Sequence, residues 1–122
     1  MTKNYRDITH RVSASIVKLR HDKPEVMQGF RSLAHAALQD GALSKKMKEL
    51  IALAIGVHSQ CDACIGYHVE ALVRLGATRA EVEDALGMAI YMGGGPALMY
   101  AADALTAWEE FSAPREPAAA PA

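Results

Sequence analysis

Cysteine and aromatic residues are scarce in this chain of 122 residues. It contains two cysteines, one tryptophan, four tyrosines and two phenylalanines, so a disulfide-rich scaffold of the kind found in small secreted proteins is excluded. Neither sign of charge is in excess, because 13 Lys and Arg residues stand against 14 Asp and Glu residues. No basic block of the kind that follows phosphates is present, and we therefore expect no nucleic-acid partner.

Long hydrophobic runs are also missing. No stretch approaches the roughly 20 consecutive apolar residues that span a bilayer, and the initial MTKNYRDITHRV lacks the apolar segment of a signal peptide. We therefore expect no membrane association and a cytoplasmic location. Hydrophobic residues make up 51% of the chain and charged residues 22%, which is typical of a globular fold.

Apolar residues recur at three- and four-residue spacings along most of the chain. This is the pattern of amphipathic helices, and no segment shows the strict alternation of a strand. The pattern predicts an all-α protein, a compact bundle of about six helices that forms a single domain over residues 1–112. Residues 113–122 consist of prolines, charges and small residues without an apolar stripe, and we expect a disordered tail there.

Capping residues mark the predicted helix boundaries in the first half. A first helix over residues 4–20 is followed by a second, with Asp22 as its N-cap and Pro24 in its first turn. Ser44 caps a third helix that is apolar on every side over residues 51–57 and is therefore expected to be buried. The second helix has an apolar face formed by Val26, Phe30, Leu33, Ala34 and Ala37.

Similar signals divide the second half into three helices. Residues 62–75 form a fourth helix that Gly76 closes, and Thr78 with Glu81 has the spacing of a capping box for a fifth. The glycines at 93–95 predict a tight turn or hinge before the last helix. The predicted core face of this last helix consists of Leu98, Ala101, Ala102, Leu105 and Trp108.

Cys61 and Cys64 are separated by two residues, and His68 follows one helical turn later. On a helix these three side chains fall within about 60° of one another, so they can share one cleft. A thiol reacts as its thiolate, which the positive end of a helix stabilises, and His68 can take the proton. The second thiol can then react with its oxidised partner to form a disulfide.

Glu49 lies twelve residues before Cys61. If its side chain leans on Ala52 and Leu53, it is partly desolvated and suits a proton relay. Alternatively, it faces solvent and pairs with Lys45, which is the ordinary environment of a charge near a helix start. The sequence leaves both alternatives open.

The same cysteines also fit a metal-binding or redox-sensing module without turnover. The possible zinc ligands are Cys61, Cys64, His68 and His58. A structural zinc site usually takes its second pair of ligands from a separate segment, and the chain has no second pair of cysteines. Zinc is therefore the weaker interpretation, but it stays open.

Residues 48–86, KELIALAIGVHSQCDACIGYHVEALVRLGATRAEVEDAL, resemble the core of AhpD-like proteins of the alkylhydroperoxidase and carboxymuconolactone decarboxylase family. The pattern is a Glu, eleven residues, a CxxC pair and a His four positions after the second Cys. Glu49, Cys61, Cys64 and His68 match it throughout. The chain differs between the cysteines, where Ala63 stands in place of a second histidine.

The resemblance implies an antioxidant enzyme that reduces a hydroperoxide or disulfide substrate, with a dithiol or thiol-protein as electron donor and no cofactor or metal. It implies Cys64 as the attacking thiol, Cys61 as the resolving thiol, and Glu49 with His68 as a proton relay. The helix dipole by itself favours Cys61 as the more acidic thiol.

Homo-oligomers, as dimers, trimers or hexamers, are a further implication of the resemblance. The decarboxylase branch of the family acts on a carboxymuconolactone and typically lacks the cysteine pair. The presence of Cys61 and Cys64 therefore argues against that activity.

Overall fold

The computed structural model describes residues 3–114, which fold into six α-helices. The helices are α1 (Tyr5–Asp22), α2 (Pro24–Leu38), α3 (Lys45–His58), α4 (Asp62–Arg74), α5 (Arg79–Gly93) and α6 (Gly95–Ser112). No strand occurs among these residues, and the predicted all-α class is confirmed. Most of the predicted disordered tail, residues 115–122, lies outside the described residues, and the assignment of residues 1–112 to a single domain stays a prediction.

Side chains cap four of the helix starts. Asn4, Ser44 and Thr78 each accept a hydrogen bond from the backbone N–H three residues further on. Glu81 completes the predicted capping box with Thr78, and the sulfur of Cys61 occupies the cap position of α4. Each cap gives a partner to an amide that the helix itself leaves unpaired.

The junction between α1 and α2 differs from the prediction. Asp22 is the last residue of α1, and Lys23 both ends α1 and precedes α2. The prediction that Asp22 is the N-cap of the second helix is therefore wrong, because α1 continues two residues beyond its predicted end. Pro24 does occupy the first turn of α2, where its missing N–H has no helical partner to lose.

The hydrophobic core lies between α3, α4, α5 and α6, and α1 packs on α4 and α6. The largest fully buried side chains are Tyr5, Leu53, Val57, Ile65, Val69, Leu72 and Val82. Burial of one aliphatic side chain of this size contributes about 1.5–3 kcal/mol, so these contacts hold α3, α4 and α5 around one apolar centre. No helix in the described range 3–114 combines the length and the hydropathy needed to cross a bilayer.

α6 faces the core with small residues. Its buried positions are Ala97, Ala101, Ala104, Ala107 and Phe111. The predicted core face is partly wrong, because Leu98 is 45% exposed and Ala102 is also exposed. Alanines allow the backbone of α6 to approach its neighbours closely, and the helix is rotated so that Leu98, Leu105 and Trp108 lie at the edge of the core.

Two helices present apolar faces that the rest of residues 3–114 leaves exposed. No residue of α2 is buried, and Val26, Phe30 and Leu33 are 68%, 65% and 66% exposed. Ile51 and Ile55 on α3 are exposed as well. The prediction that this part of α3 is buried on every side is therefore wrong for one of its faces.

Candidate active site

A tight turn brings the end of α3 to the start of α4. The N–H of Gln60 donates to the carbonyl of Val57 (3.1 Å), and the N–H of Cys61 donates to the carbonyl of Gly56 (3.0 Å). These two bonds form a Schellman motif, with Gln60 in the left-handed conformation at φ 56°. The motif places Cys61 directly at the start of α4.

Cys61 and Cys64 are joined as a disulfide, with their Cα atoms 5.2 Å apart. The Cys61 sulfur accepts a hydrogen bond from the N–H of Cys64 at 3.2 Å, and both residues are half-buried. Once the disulfide is reduced, this amide and the positive end of the α4 dipole favour a thiolate at Cys61.

The second cysteine packs against the backbone of α3. A Cβ atom added at Gly56 would lie 3.2 Å from the Cβ of Cys64, so the two helices approach closely at this point. Gly56 therefore belongs to the site, although the sequence analysis does not assign it. The sequence signal that could have identified Gly56 is its spacing of seven residues from Glu49, which places both residues on one face of α3.

Glu49 and His68 connect α3 to α4 beside the cysteine pair. The Glu49 side chain is 5% exposed, and its Oε2 lies 2.6 Å from Nδ1 of His68. Glu49 is thus buried and bonded to His68, and the alternative of a solvent-facing carboxylate paired with Lys45 is wrong. An ionised carboxylate only accepts, so Nδ1 of His68 donates, and Nε2 of the neutral ring is free to accept a proton.

Asp62, between the two cysteines, is bound by residues at the N-terminal end of α1. Its Oδ1 accepts from the hydroxyl of Tyr5 (3.0 Å) and from Nζ of Lys3 (3.1 Å), and the same Nζ donates to Oδ2 of Asp103 on α6 (2.9 Å). Burial and then the bond to Asp62 raise the pKa of the Tyr5 hydroxyl, which keeps it a donor. The hydrogen bond to Asp103 is the main cause of the raised pKa of Lys3.

Neither of these contacts of Asp62 follows from the sequence analysis. Lys3 is 59 residues away from Asp62 in the chain, and helical periodicity relates only residues within one helix. The sequence signal that could have drawn attention to Asp62 is its position between the two cysteines.

Residues 3–114 do not provide a set of ligands for a zinc ion. No three His, Cys, Asp or Glu side chains in this range are grouped so that they could hold a metal ion. His58, the fourth possible ligand, packs beside Gly93, where an added Cβ atom would lie 3.1 Å from its ring. The structure therefore places the His58 ring at the junction of α5 and α6.

The family model of the carboxymuconolactone decarboxylase family matches residues 24–107. The match runs from α2 into α6 and includes Glu49, Cys61, Cys64 and His68. The chain belongs to the carboxymuconolactone decarboxylase family. AhpD-like proteins are part of this family, and the resemblance described above is confirmed at that level.

Solved structures of family members share the fold. A carboxymuconolactone decarboxylase family protein from Legionella pneumophila, solved in its apo form, is 57% identical, with a TM-score of 0.88 over 89% of this chain and 97% of that one. A family protein from Thermotoga maritima, for which an involvement in the antioxidative response has been suggested, is 27% identical, with a TM-score of 0.75 over 84% of this chain and 87% of that one.

One sequence relative matches over nearly the whole chain. An uncharacterized protein from Cupriavidus necator is 35% identical over 113 residues, which is 93% of this chain and 100% of that protein. The match extends beyond the family segment and shows that the similarity is not confined to the cysteine motif.

Proposed function

We propose that the protein is an AhpD-like thiol-dependent peroxidase, which reduces hydroperoxides by cycling Cys61 and Cys64 between dithiol and disulfide. The bond between buried Glu49 and His68, on the helix that begins at the cysteine pair, carries the proposal. A histidine whose Nδ1 donates to a carboxylate has its second nitrogen available for proton transfer. The site therefore combines a nucleophile, a resolving thiol and a base.

In the proposed reaction, His68 takes the proton of Cys64, and the thiolate attacks the terminal oxygen of the hydroperoxide. The O–O bond breaks, the sulfur becomes a sulfenic acid, and the alcohol leaves with the proton that His68 returns. The sulfur of Cys61 then attacks the sulfenic sulfur, and water leaves as the disulfide forms. A dithiol or thiol-protein returns two electrons and two protons.

One further observation and one expectation support this chemistry. The Thermotoga maritima neighbour has a suggested involvement in the antioxidative response. A cytoplasmic location, as expected from the sequence, would provide thiol reductants for the disulfide.

Hydroperoxide consumption with dithiothreitol as donor and tert-butyl hydroperoxide as substrate tests the proposal. The wild-type protein is expected to turn over repeatedly, and Cys61→Ser and Cys64→Ser are each expected to lose turnover. Wild-type rates in both variants would contradict the proposal. Reversible oxidation of the wild-type pair without turnover would favour a redox sensor, and stoichiometric zinc after reducing purification would favour a metal-binding module.

The two cysteines can be assigned separately. If Cys64 attacks, one equivalent of hydroperoxide is expected to produce a trappable sulfenic acid at Cys64 in the Cys61→Ser variant. The position of Cys61 as the N-cap of α4 favours the opposite assignment, in which Cys61 is the attacking thiol. Faster sulfenic acid formation at Cys61 in the Cys64→Ser variant would make Cys61 the attacking thiol.

We also propose that the protein forms a homo-oligomer. Val26, Phe30 and Leu33 on α2 form an exposed apolar face, and Met88 and Met92 on α5 are exposed as well. Exposed apolar faces of this kind mark contact surfaces in soluble proteins.

A further inference from the structure

Asp62 places a negative charge beside the cysteine pair. It directly follows Cys61 and lies in the first turn of α4. Because consecutive Cα atoms are 3.8 Å apart, its carboxyl carbon lies within about 9 Å of the Cys61 sulfur. A carboxylate at this distance opposes ionisation of the thiol and so acts against the helix dipole, which favours it.

Contacts from outside α4 compensate this charge. Lys3 bridges Asp62 and Asp103 through its Nζ, at 3.1 and 2.9 Å, and the same Nζ lies 4.7 Å from the centre of the Tyr100 ring. The hydroxyl of Tyr5, a residue that is 1% exposed, donates to the same oxygen of Asp62. Lys3 is thus held by partners on α4 and α6, although its side chain is partly exposed.

Each of the neighbouring acidic groups also has a partner. Glu110 of α6 accepts a hydrogen bond from the N–H of Tyr5 at 2.8 Å, and Glu49 of α3 is bonded to His68 of α4. Asp103 shares Lys3 with Asp62. Within residues 3–114, the cation in contact with Asp62 is Lys3.

We propose that Lys3 is a positioning residue for the cysteine pair, which holds Asp62 and offsets part of its charge so that the Cys61 thiol ionises more readily. Lys3 lies outside the segment that matches the family model, residues 24–107. The inference rests on the proposed redox function but concerns the reactivity of Cys61, which is measurable without a hydroperoxide.

Alkylation of Cys61 by iodoacetamide as a function of pH tests the proposal, in a Cys64→Ser background that cannot form the disulfide. Lys3→Met leaves the carboxylate of Asp62 uncompensated, and the rate at pH 7 is expected to fall about two- to fivefold at low salt. Asp62→Asn removes the negative charge, and the rate is expected to rise by a similar factor. The double variant is expected to lie near the parent.

The opposite signs separate this role from a merely structural one. If Lys3 only held the start of α4 in place, both single variants would change the rate in the same direction, and the double variant would not restore it. Lys3→Arg keeps the charge and is expected to retain the parental rate. Lys18→Met removes a positive charge about 20 Å further along α1 and is the control.

Unchanged alkylation in Lys3→Met, with the parental circular dichroism spectrum, would overturn the proposal. So would changes of the same sign in Lys3→Met and Asp62→Asn. If the wild-type protein failed to consume hydroperoxide, the proposed peroxidase function would be wrong, whereas the alkylation rates would still report on Lys3. The two failures are therefore distinguishable.

Discussion

At the scale of single residues, the proposed chemistry depends on one buried carboxylate. Glu49 on α3 is almost removed from solvent, and its partner is the ring of His68 on α4. A buried charge is stable only when it is paired or hydrogen-bonded, so this contact orients the ring and sets which nitrogen carries the proton. If Glu49 acts in the proposed relay, removal of its charge is expected to affect catalysis more than folding.

Glu49→Gln tests this expectation. The variant keeps the shape of the side chain and an oxygen that can accept from His68, but it removes the charge that stabilises a protonated ring. We expect kcat/KM for hydroperoxide consumption to fall by about 10²-fold or more, with a small change in thermal stability. Glu70→Gln, at a surface pair with Arg74, is the matched control, and an unchanged rate in Glu49→Gln would remove Glu49 from the relay.

Two glycines inside helices differ in their surroundings. A Cβ atom at Gly66 would lie 2.6 Å from Cγ2 of Thr9, a buried and stiff β-branched residue on α1. A Cβ atom at Gly87 would have no neighbour within 4 Å. The first glycine thus allows α1 to pack on α4, whereas the second only weakens its own helix.

Gly66→Ala is therefore expected to lower the free energy of unfolding by about 1–3 kcal/mol, because α1 must shift. Gly87→Ala is expected to raise it by about 0.5–1 kcal/mol, because alanine is the better helix former. Urea denaturation of both variants measures the difference. A Gly66→Ala variant as stable as the wild type would contradict the close packing of α1 on α4.

At the scale of secondary-structure elements, α3 and α4 end in the same motif with different residues in its left-handed position. Gly76 takes this position after α4 with φ 75°, and Gln60 takes it after α3 with φ 56°. A glycine adopts this conformation freely, whereas a residue with a side chain costs about 1–2 kcal/mol. The strained turn is the one that immediately precedes Cys61.

Gln60→Gly is expected to raise the free energy of unfolding by about 1 kcal/mol, since it removes this strain. Gly76→Ala is expected to lower it by a similar amount, about 1 kcal/mol, at the equivalent position. Both changes are measurable by urea denaturation of the reduced protein. Destabilisation by Gln60→Gly would mean that the glutamine side chain contributes more to the turn than the strain removes.

At the scale of the whole molecule, two apolar surfaces are exposed in the part of the chain that the structure describes, residues 3–114. One is the face of α2 that contains Phe30. The other follows α3 and α5, where clefts of about 330 and 200 Å³ are lined in part by Met47, Ile51, Ile55, Met88 and Met92. Burial of such surface contributes about 25 cal/mol per Å², which favours association with a second copy of the chain.

Light scattering at micromolar concentration is expected to give a mass that is a multiple of 13.1 kDa. Phe30→Asp is expected to lower that mass, because it places a charge in the α2 face. Ser32→Asp, on the opposite side of α2, is the control. A strictly monomeric wild-type protein would rule out the proposed homo-oligomer.

The sequence by itself determines the features that depend on neighbours within one or two helical turns. Ser44, Thr78 with Glu81, and Gly76 mark helix ends correctly, because a cap or a left-handed residue acts on amides and carbonyls three to five positions away. The same reason places Cys61, Cys64 and His68 on one face of α4, since the spacing of residues on a helix is constant.

Only the tertiary structure decides which helices meet and with which faces. It buries Glu49 against His68, 19 residues away, and it brings Lys3 to Asp62, 59 residues away. It also turns the alanines of α6 inward and leaves the apolar face of α2 exposed. These outcomes depend on the sum of many weak packing contacts between distant segments. The periodicity of residues within one helix carries no information about such contacts.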